Sequence, residues 1–409
     1  MSTRTHIAIG KAEKAPLDTR HEGECMNNVP LIIPTPCGYQ FAQQIYKHLV
    51  KTYLPRRKQT GKGVWVATEM IVFADTDQMT KILHHIRGCD AYIIADMQSA
   101  ATILPTETID DRPPSHRISM QHDNYTVYHD DKELAVSPRK VSVPRNFDML
   151  LSVIDATRNA VKENGRITVV LPFFPSSRQD RRGGRFSLDL KRRCVALEKA
   201  GADHILTIDV HNESAVENAF EERTGLDNLY ARHSVLMFLH ANRDMQNAYF
   251  ASPDASAFKR NLHYAEEFEV GVGFLYKHRT KPNVVEKVLG FGGSKEDIIG
   301  KDIYMVDDMI DTAGTIIQAA YYLRECGAKS VRIIATHAVF SPPALRRLDA
   351  AHEKHIIQEV IVTNSITHPS DVAAKPWLTI VDVAKYFAKA IDRLNNGESI
   401  SALLEDEEE

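Results

Sequence analysis

The chain has 409 residues, 43% of them hydrophobic and 25% charged, and a formal net charge of −4 at pH 7. That length exceeds one ordinary core and predicts two domains of a globular protein, while the charge excludes a general nucleic-acid coat. No stretch approaches the roughly 18 consecutive apolar residues of a membrane span, and Met1–Lys11 has no apolar core behind a basic start, so neither a membrane anchor nor a secretion signal is expected.

Taken in chain order, apolar runs predict strands at Val64–Ile71, Ala91–Ala95, Ile167–Leu171, Ile205–Ile208, Ala248–Ala251, Gly271–Leu275, Ile303–Val306, Val331–Ala335 and Val360–Val362. Helices are predicted between them at Phe147–Glu163, with Asn146 as N-cap and Gly165 just past the end, at Leu188–Lys199 and at Ile316–Cys326. This alternation implies an α/β protein, with mostly parallel sheets flanked by helices. Two stretches lack a period. Tyr53–Gly63 reads as a solvated basic loop, and Ala101–Arg145 as a surface insertion with a hairpin around Tyr125–Tyr128. The five cysteines, Cys25, Cys37, Cys89, Cys194 and Cys326, are scattered without a CxxC pair and suit a reducing cytoplasm. Glu405–Glu409 is an acidic tail expected to be solvated.

The chain also echoes itself. Ala200–His211 aligns with Cys326–His337: a helix ends at a glycine, a short turn follows, and a β-rich strand ends near a histidine. The repeat predicts two α/β domains of one type, residues 1–232 and 233–404, with the boundary near Arg232–Leu236 and the tail beyond.

The most constrained motif lies in the second half. The apolar strand Ile303–Val306 runs into Asp307-Asp308-Met-Ile-Asp311-Thr312-Ala313-Gly314-Thr315 and then a helix. Small residues let the backbone close around a phosphate, and peptide N–H groups, the two threonine hydroxyls and a helix N-terminus supply donors. Asp307 and Asp308 are placed to accept from sugar hydroxyls or to hold a metal. An acidic turn capping a helix through Asp311 or Thr312 is the bland reading, and the order of residues is too constrained for it. The first half carries the opposite charge at the matching place. After the strand Ile167–Leu171 comes Pro-Phe-Phe-Pro-Ser-Ser-Arg178-Gln179-Asp180-Arg181-Arg182-Gly-Gly-Arg185, a density of guanidinium groups that suits a polyanion.

The second-half motif resembles the phosphoribosyl-diphosphate loop shared by type I phosphoribosyltransferases and ribose-phosphate diphosphokinases. The first-half Pro-x-x-x-x-x-Arg-Gln-Asp-Arg resembles the ATP signature of the diphosphokinases, which phosphoribosyltransferases lack. Other segments match that family in order: Phe73-Ala-Asp75-Thr-Asp77, Arg87-Gly-Cys-Asp90, Thr207-Ile-Asp209-Val-His211, Ser252-Pro-Asp254 with Arg260, Lys277-His-Arg279, and Thr336-His337. The resemblance covers about Val64–Leu404 and implies two tandem phosphoribosyltransferase-like domains. It implies transfer of the diphosphate of ATP to the C1 hydroxyl of ribose 5-phosphate, giving AMP, in a cytoplasmic homo-oligomer without membrane or nucleic-acid partner. ATP would bind Arg178, Gln179, Asp180 and Arg181, with Phe73, Asp75 and Asp77 reaching the adenine from a neighbouring subunit. Ribose 5-phosphate would bind Asp307, Asp308 and Asp311–Thr315. His211 and Asp254 would hold Mg²⁺, and Lys277 and Arg279 would be catalytic.

The match has gaps. Ser256 and Ala257 stand where the family has two glycines, Asn212–Asp227 differs in length, Phe186–Lys191 replaces a common stretch, and the first ~60 residues are only weakly alike. A non-catalytic regulatory relative and a phosphoribosyltransferase remain the alternatives at this point.

Overall fold

The computed structural model describes residues 29–59, 61, 63–73, 77–103, 116–129, 132–134, 138–221, 224–254, 257–277, 288–401 and 403, with side chains omitted at 129, 132, 134, 277, 288 and 289. Met1–Lys11, Cys25, Asp75, Ser256, Arg279 and the acidic tail lie outside these residues, as does the side chain of Lys277.

In the first half the strands are β1 (Leu31–Pro34), β2 (Thr68–Val72), β3 (Gln78–Ile82), β4 (Asp90–Ile94), β5 (His116–Met120), β6 (Tyr125–His129), β7 (Lys132–Leu134), β8 (Arg166–Leu171), β9 (His204–Ile208) and β10 (Gly225–Leu229). The second half adds β11 (Ala248–Ser252), β12 (Gly271–Lys277), β13 (Val288–Gly292), β14 (Asp302–Ile310), β15 (Ser330–Ala338), β16 (Glu359–Thr363) and β17 (Leu378–Val381). One sheet is wholly parallel, ordered β1-β4-β8-β9-β10. Another, β13-β12-β11-β14-β15-β16-β17, is parallel except for β13. Their central strands are buried on both faces, as continuous apolar runs require. The predicted fold class is the observed one: α/β, with parallel sheets flanked by helices.

The internal echo is geometric. Gly201 (φ 111°) and Gly327 (φ 96°) each end a helix in the left-handed region. Each helix closes with the same pair of backbone bonds: Gly201 to Glu198 and Ala202 to Leu197 in one, Gly327 to Arg324 and Ala328 to Leu323 in the other.

Four expectations need correction. The stretch expected as a solvated loop at Tyr53–Gly63 begins inside helical turns with Tyr53 and Leu54 buried, so its apolar start belongs to the core. The run Val64–Ile71 is a strand only from Thr68; Trp65 forms an isolated bridge to Ile32. The helix expected at Phe147 starts at Val143 with Ser142 as N-cap, because Pro144 sits in its first turn. Asn146 is therefore inside the helix, fully buried, donating to the Met97 carbonyl at 3.0 Å. The stretch Ala101–Arg145 is more than a surface insertion. Its hairpin at Tyr125 exists, and β5 pairs with β2 to complete a third, antiparallel sheet, β3-β2-β5-β6-β7. Ile118, Met120 and Val127 from that stretch are buried in the first core.

The end of the chain returns to the beginning. The helix Ala384–Asn395, with Ile400 and Leu403, packs into the core of the first parallel sheet, although a division at residue 232 counts it with the second half. Phe387 is fully buried and meets Phe41 edge-on at 5.4 Å, and Arg57 forks onto Asp392 through bonds of 2.8–3.0 Å. Among the described residues no helix is long and apolar enough to cross a membrane. Phe387→Ala is expected to cost about 3–5 kcal/mol, the usual penalty for emptying a packed aromatic site. Chemical denaturation checks this; a loss below about 1 kcal/mol would mean that the helix is only loosely attached.

Candidate active site

In a parallel sheet all strands end at one edge, so the loops that follow them gather there. β8 delivers the arginine loop and β9 delivers Asp209 and His211. β11 delivers Asp254, β12 ends on Lys277, and β14 carries Asp307 and Asp308 into Asp311–Thr315. The two sheets turn these edges toward each other. Phe173 from the first half forms a buried cluster with Met309, Val339 and Ile366 from the second. Asp96, fully buried after β4, accepts from the Thr367 backbone N–H at 2.7 Å, and the Ala100 N–H donates to the Thr367 carbonyl at 2.9 Å. Burial pushes the Asp96 carboxyl up to about 7, against the N–H donors that favour its charge.

The polar contacts across this junction join the predicted residues. His211 Nδ1 lies 2.5 Å from Asp308 Oδ2, and Arg178 Nη1 donates to Asp311 Oδ2 at 2.9 Å. Thr336 donates to the Asp209 carboxylate, and His337 Nε2 stands 3.3 Å from the Asp209 carbonyl. Successive strand residues face opposite ways. Asp308 therefore meets His211, while Asp307 turns toward Arg260, 3.7 Å away on the helix Phe258–Glu267.

The two aspartates separate electrostatically. Burial and the adjacent Asp308 charge push Asp307 up to about 7. Asp308 is buried too, but the His211 hydrogen bond and the Arg260 charge overcome that and hold it at about 2. His211 is raised in turn, first by its bond to Asp308, with burial opposing. The site thus holds an ionised carboxylate on a protonatable imidazole, beside a second carboxyl poised near neutrality.

Both loops bend through left-handed residues. Ala313 adopts φ 59°, a left-handed turn that costs a residue with a side chain about 1–2 kcal/mol and opens the helix Gly314–Glu325. Ser176 (φ 62°) makes the matching bend in the arginine loop, where the Gln179 N–H donates to the Ser176 carbonyl at 2.8 Å. Arg193 holds that bend through Ser176 Oγ at 2.8 Å, its guanidinium lying over Phe147. Asp180 accepts from Asn212 at 2.7 Å and faces inward, whereas the Arg181 side chain is 86% exposed. The Arg178–Asp311 pair is also exposed, so it contributes at most about 1 kcal/mol to stability. Its meaning is positional: a guanidinium from one loop already stands within bonding distance of the other.

Not every predicted residue is joined to this centre. Phe73 and Asp77 close the β2–β3 turn through a 2.8 Å backbone bond on the antiparallel sheet. Asp254 accepts from the Ala257 N–H at 3.1 Å. His211 bonds to Asp308, not to Asp254, and among the described residues no group of three or more His, Cys, Asp or Glu side chains is arranged to hold a metal. The donors on offer, carboxylate oxygens beside the loop Asp311–Thr315, nevertheless have the chemistry that suits a hard cation such as Mg²⁺. That ion takes one or two protein carboxylates and completes its shell with water and substrate phosphate. Sequence reading missed Arg347, whose Nη1 donates to the Thr312 carbonyl at 2.9 Å, and gave Asp209 no role of its own. Nothing in the run Ala344-Leu-Arg-Arg-Leu348 signals such a reach.

Comparison with known proteins points to one family. The phosphoribosyl synthetase-associated domain family matches residues 282–405. A ribose-phosphate pyrophosphokinase of Saccharomyces cerevisiae, number 4 of its set, is 37% identical over 239 residues, 58% of this chain and 69% of the yeast protein. Number 3 of that set is 34% identical over 255 residues, 62% of this chain and 76% of the relative. The crystal structure of phosphoribosylpyrophosphate synthetase from Mycobacterium smegmatis superposes with a TM-score of 0.67 at 25% identity, over 90% of this chain and 99% of the other.

The electrostatic assignment can be checked residue by residue. In an NMR titration the His211 imidazole is expected to titrate above 6.5, and Asp308→Asn is expected to lower it. An unchanged His211 midpoint in that variant would contradict the assignment.

Proposed function

The chain belongs to the ribose-phosphate pyrophosphokinase family, and we propose that it transfers the diphosphate of ATP to the C1 hydroxyl of ribose 5-phosphate, giving 5-phosphoribosyl 1-diphosphate and AMP. The observation that carries this reading is the 2.9 Å contact between Arg178 and Asp311. It brings the arginine loop against the loop Asp311–Thr315, which supports a reaction between two bound phosphate compounds.

In this reading Arg178, Gln179, Asp180 and Arg181 bind ATP, the two guanidinium groups on its phosphates, with Phe73, Asp75 and Asp77 serving the adenine of a neighbouring subunit in a homo-oligomer. Asp311–Thr315 takes the 5-phosphate, and Asp307 and Asp308 take the ribose hydroxyls. The anomeric hydroxyl gives its proton to water as its oxygen bonds the β-phosphorus, the bond from that phosphorus to the α-phosphate oxygen breaks, and AMP leaves with that oxygen. Such transfer is chiefly a matter of positioning and charge neutralisation. His211 and Asp254 would hold Mg²⁺, which when bound supplies positive charge to phosphate oxygens. Lys277 and Arg279 would meet the charge that develops as the bond breaks. A cytoplasmic location fits the cysteine usage.

Two measurements test this. With ATP, Mg²⁺ and ribose 5-phosphate, AMP should form one-for-one with phosphoribosyl diphosphate; stoichiometric ADP with a singly phosphorylated C1 product would overturn the diphosphate transfer. Lys277→Ala is expected to lower kcat roughly 10²–10³-fold, the usual loss for one charge-stabilising donor, with little change in substrate binding. A kcat within about twofold of the parent would remove Lys277 from the mechanism.

A further inference from the structure

The acidic groups at this site already face positive or protonatable partners. Arg260 Nη1 stands 3.7 Å from Asp307, His211 2.5 Å from Asp308, and Arg178 2.9 Å from Asp311. The loop Asp311–Thr315 itself offers a phosphate only neutral donors, namely peptide N–H groups and the Thr312 and Thr315 hydroxyls. A phosphate monoester carries close to two negative charges at neutral pH, its second pKa being about 6. Neutral donors beside so many carboxylates are a poor match for that charge.

One cation stands at the loop with no carboxylate partner among the described residues. Arg347 lies on the helix Ala344–Glu353, one turn into it, with its side chain exposed. Its Nη1 donates to the Thr312 carbonyl at 2.9 Å, and a Cβ built at Gly314 would lie 3.1 Å from the same nitrogen. The guanidinium therefore lies beside Thr312 and Gly314, at the N-terminus of the helix Gly314–Glu325. A guanidinium has five N–H donors, and the Thr312 bond uses only one. Gly314, lacking a side chain, leaves room for the guanidinium to sit there.

We propose that Arg347 binds the phosphate of ribose 5-phosphate in this loop and selects the phosphorylated sugar over the free one. The inference rests on reading Asp311–Thr315 as the sugar-phosphate loop. A purely structural role, holding the Thr312 carbonyl, is the competing account, and charge separates the two.

The test uses the full chain with Arg347→Gln, which keeps a donor for Thr312 but no charge, and Arg347→Lys, which keeps charge without the planar fork. Ribose 5-phosphate binding is measured by titration calorimetry, and KM for each substrate by steady-state kinetics. Arg347→Gln should weaken ribose 5-phosphate binding and raise its KM roughly 10–100-fold, the range for losing a charge-assisted bond. KM for ATP should stay within about twofold, and Arg347→Lys should recover part of the loss. Should the Gln protein fail to fold, the Lys protein decides: a raised sugar KM with an unchanged ATP KM supports the role. A sugar KM within about twofold of the parent in the folded variants, or sugar and ATP KM rising together, would overturn it. If the unmodified, folded protein binds no ribose 5-phosphate by calorimetry, the reading of the loop itself fails, and this role falls with it.

Discussion

Parallel strands force the loops that follow them to one edge of a sheet, and this protein sets two such edges against each other. Each edge carries charged loops, one rich in arginine and the other in aspartate, so each is unfavourable by itself and favourable opposite its counterpart. The 2.5 Å bond between His211 and Asp308 is where that complementarity is most buried and most directional. It keeps Asp308 ionised, and burial together with that neighbouring charge raises Asp307, against the pull of Arg260. The remaining contacts of the site are arranged around this pair.

The junction divides into parts that hold and parts that respond. Phe173, Met309, Val339 and Ile366 are buried, at roughly 1.5–3 kcal/mol each, and Asp96 ties the backbone at Thr367 where water does not compete. These contacts set the spacing of the two halves. The exposed Arg178–Asp311 pair adds little stability and leaves both groups open to solvent. Rigid packing underneath and exposed charge above give a site that can be preorganised without being closed.

Much of this was legible in the sequence because it is written in local order. Strand and helix alternation, the glycines at 201 and 327, and the loops at Arg178 and Asp311 each depend on residues close together in the chain. What escaped depends on residues far apart. The third sheet pairs β2 with β5 across a long interval, and β5 has only Ile118 and Met120 to mark its buried face. The helix Ala384–Asn395 has a clear apolar face, but nothing in it says that the face meets Phe41 rather than the sheet just before it. Asn146 looked like a cap because polar residues before an apolar run usually are; Pro144 moved the helix start and left Asn146 to satisfy buried carbonyl and hydroxyl groups. The reach of Arg347 to Thr312 follows from the loop and the helix Ala344–Glu353 meeting in space, which no spacing encodes.

The central claim is that the loops of the two halves form one site rather than two independent ones. Thermodynamic linkage tests it most directly: the affinity for ribose 5-phosphate is measured by calorimetry with and without a non-hydrolysable ATP analogue, and the affinity for the analogue with and without the sugar phosphate. Ligands sharing the Arg178–Asp311 junction must change each other's affinity by one common factor, expected here to be about threefold or more. Affinities that are the same in the presence and absence of the other ligand would contradict the account.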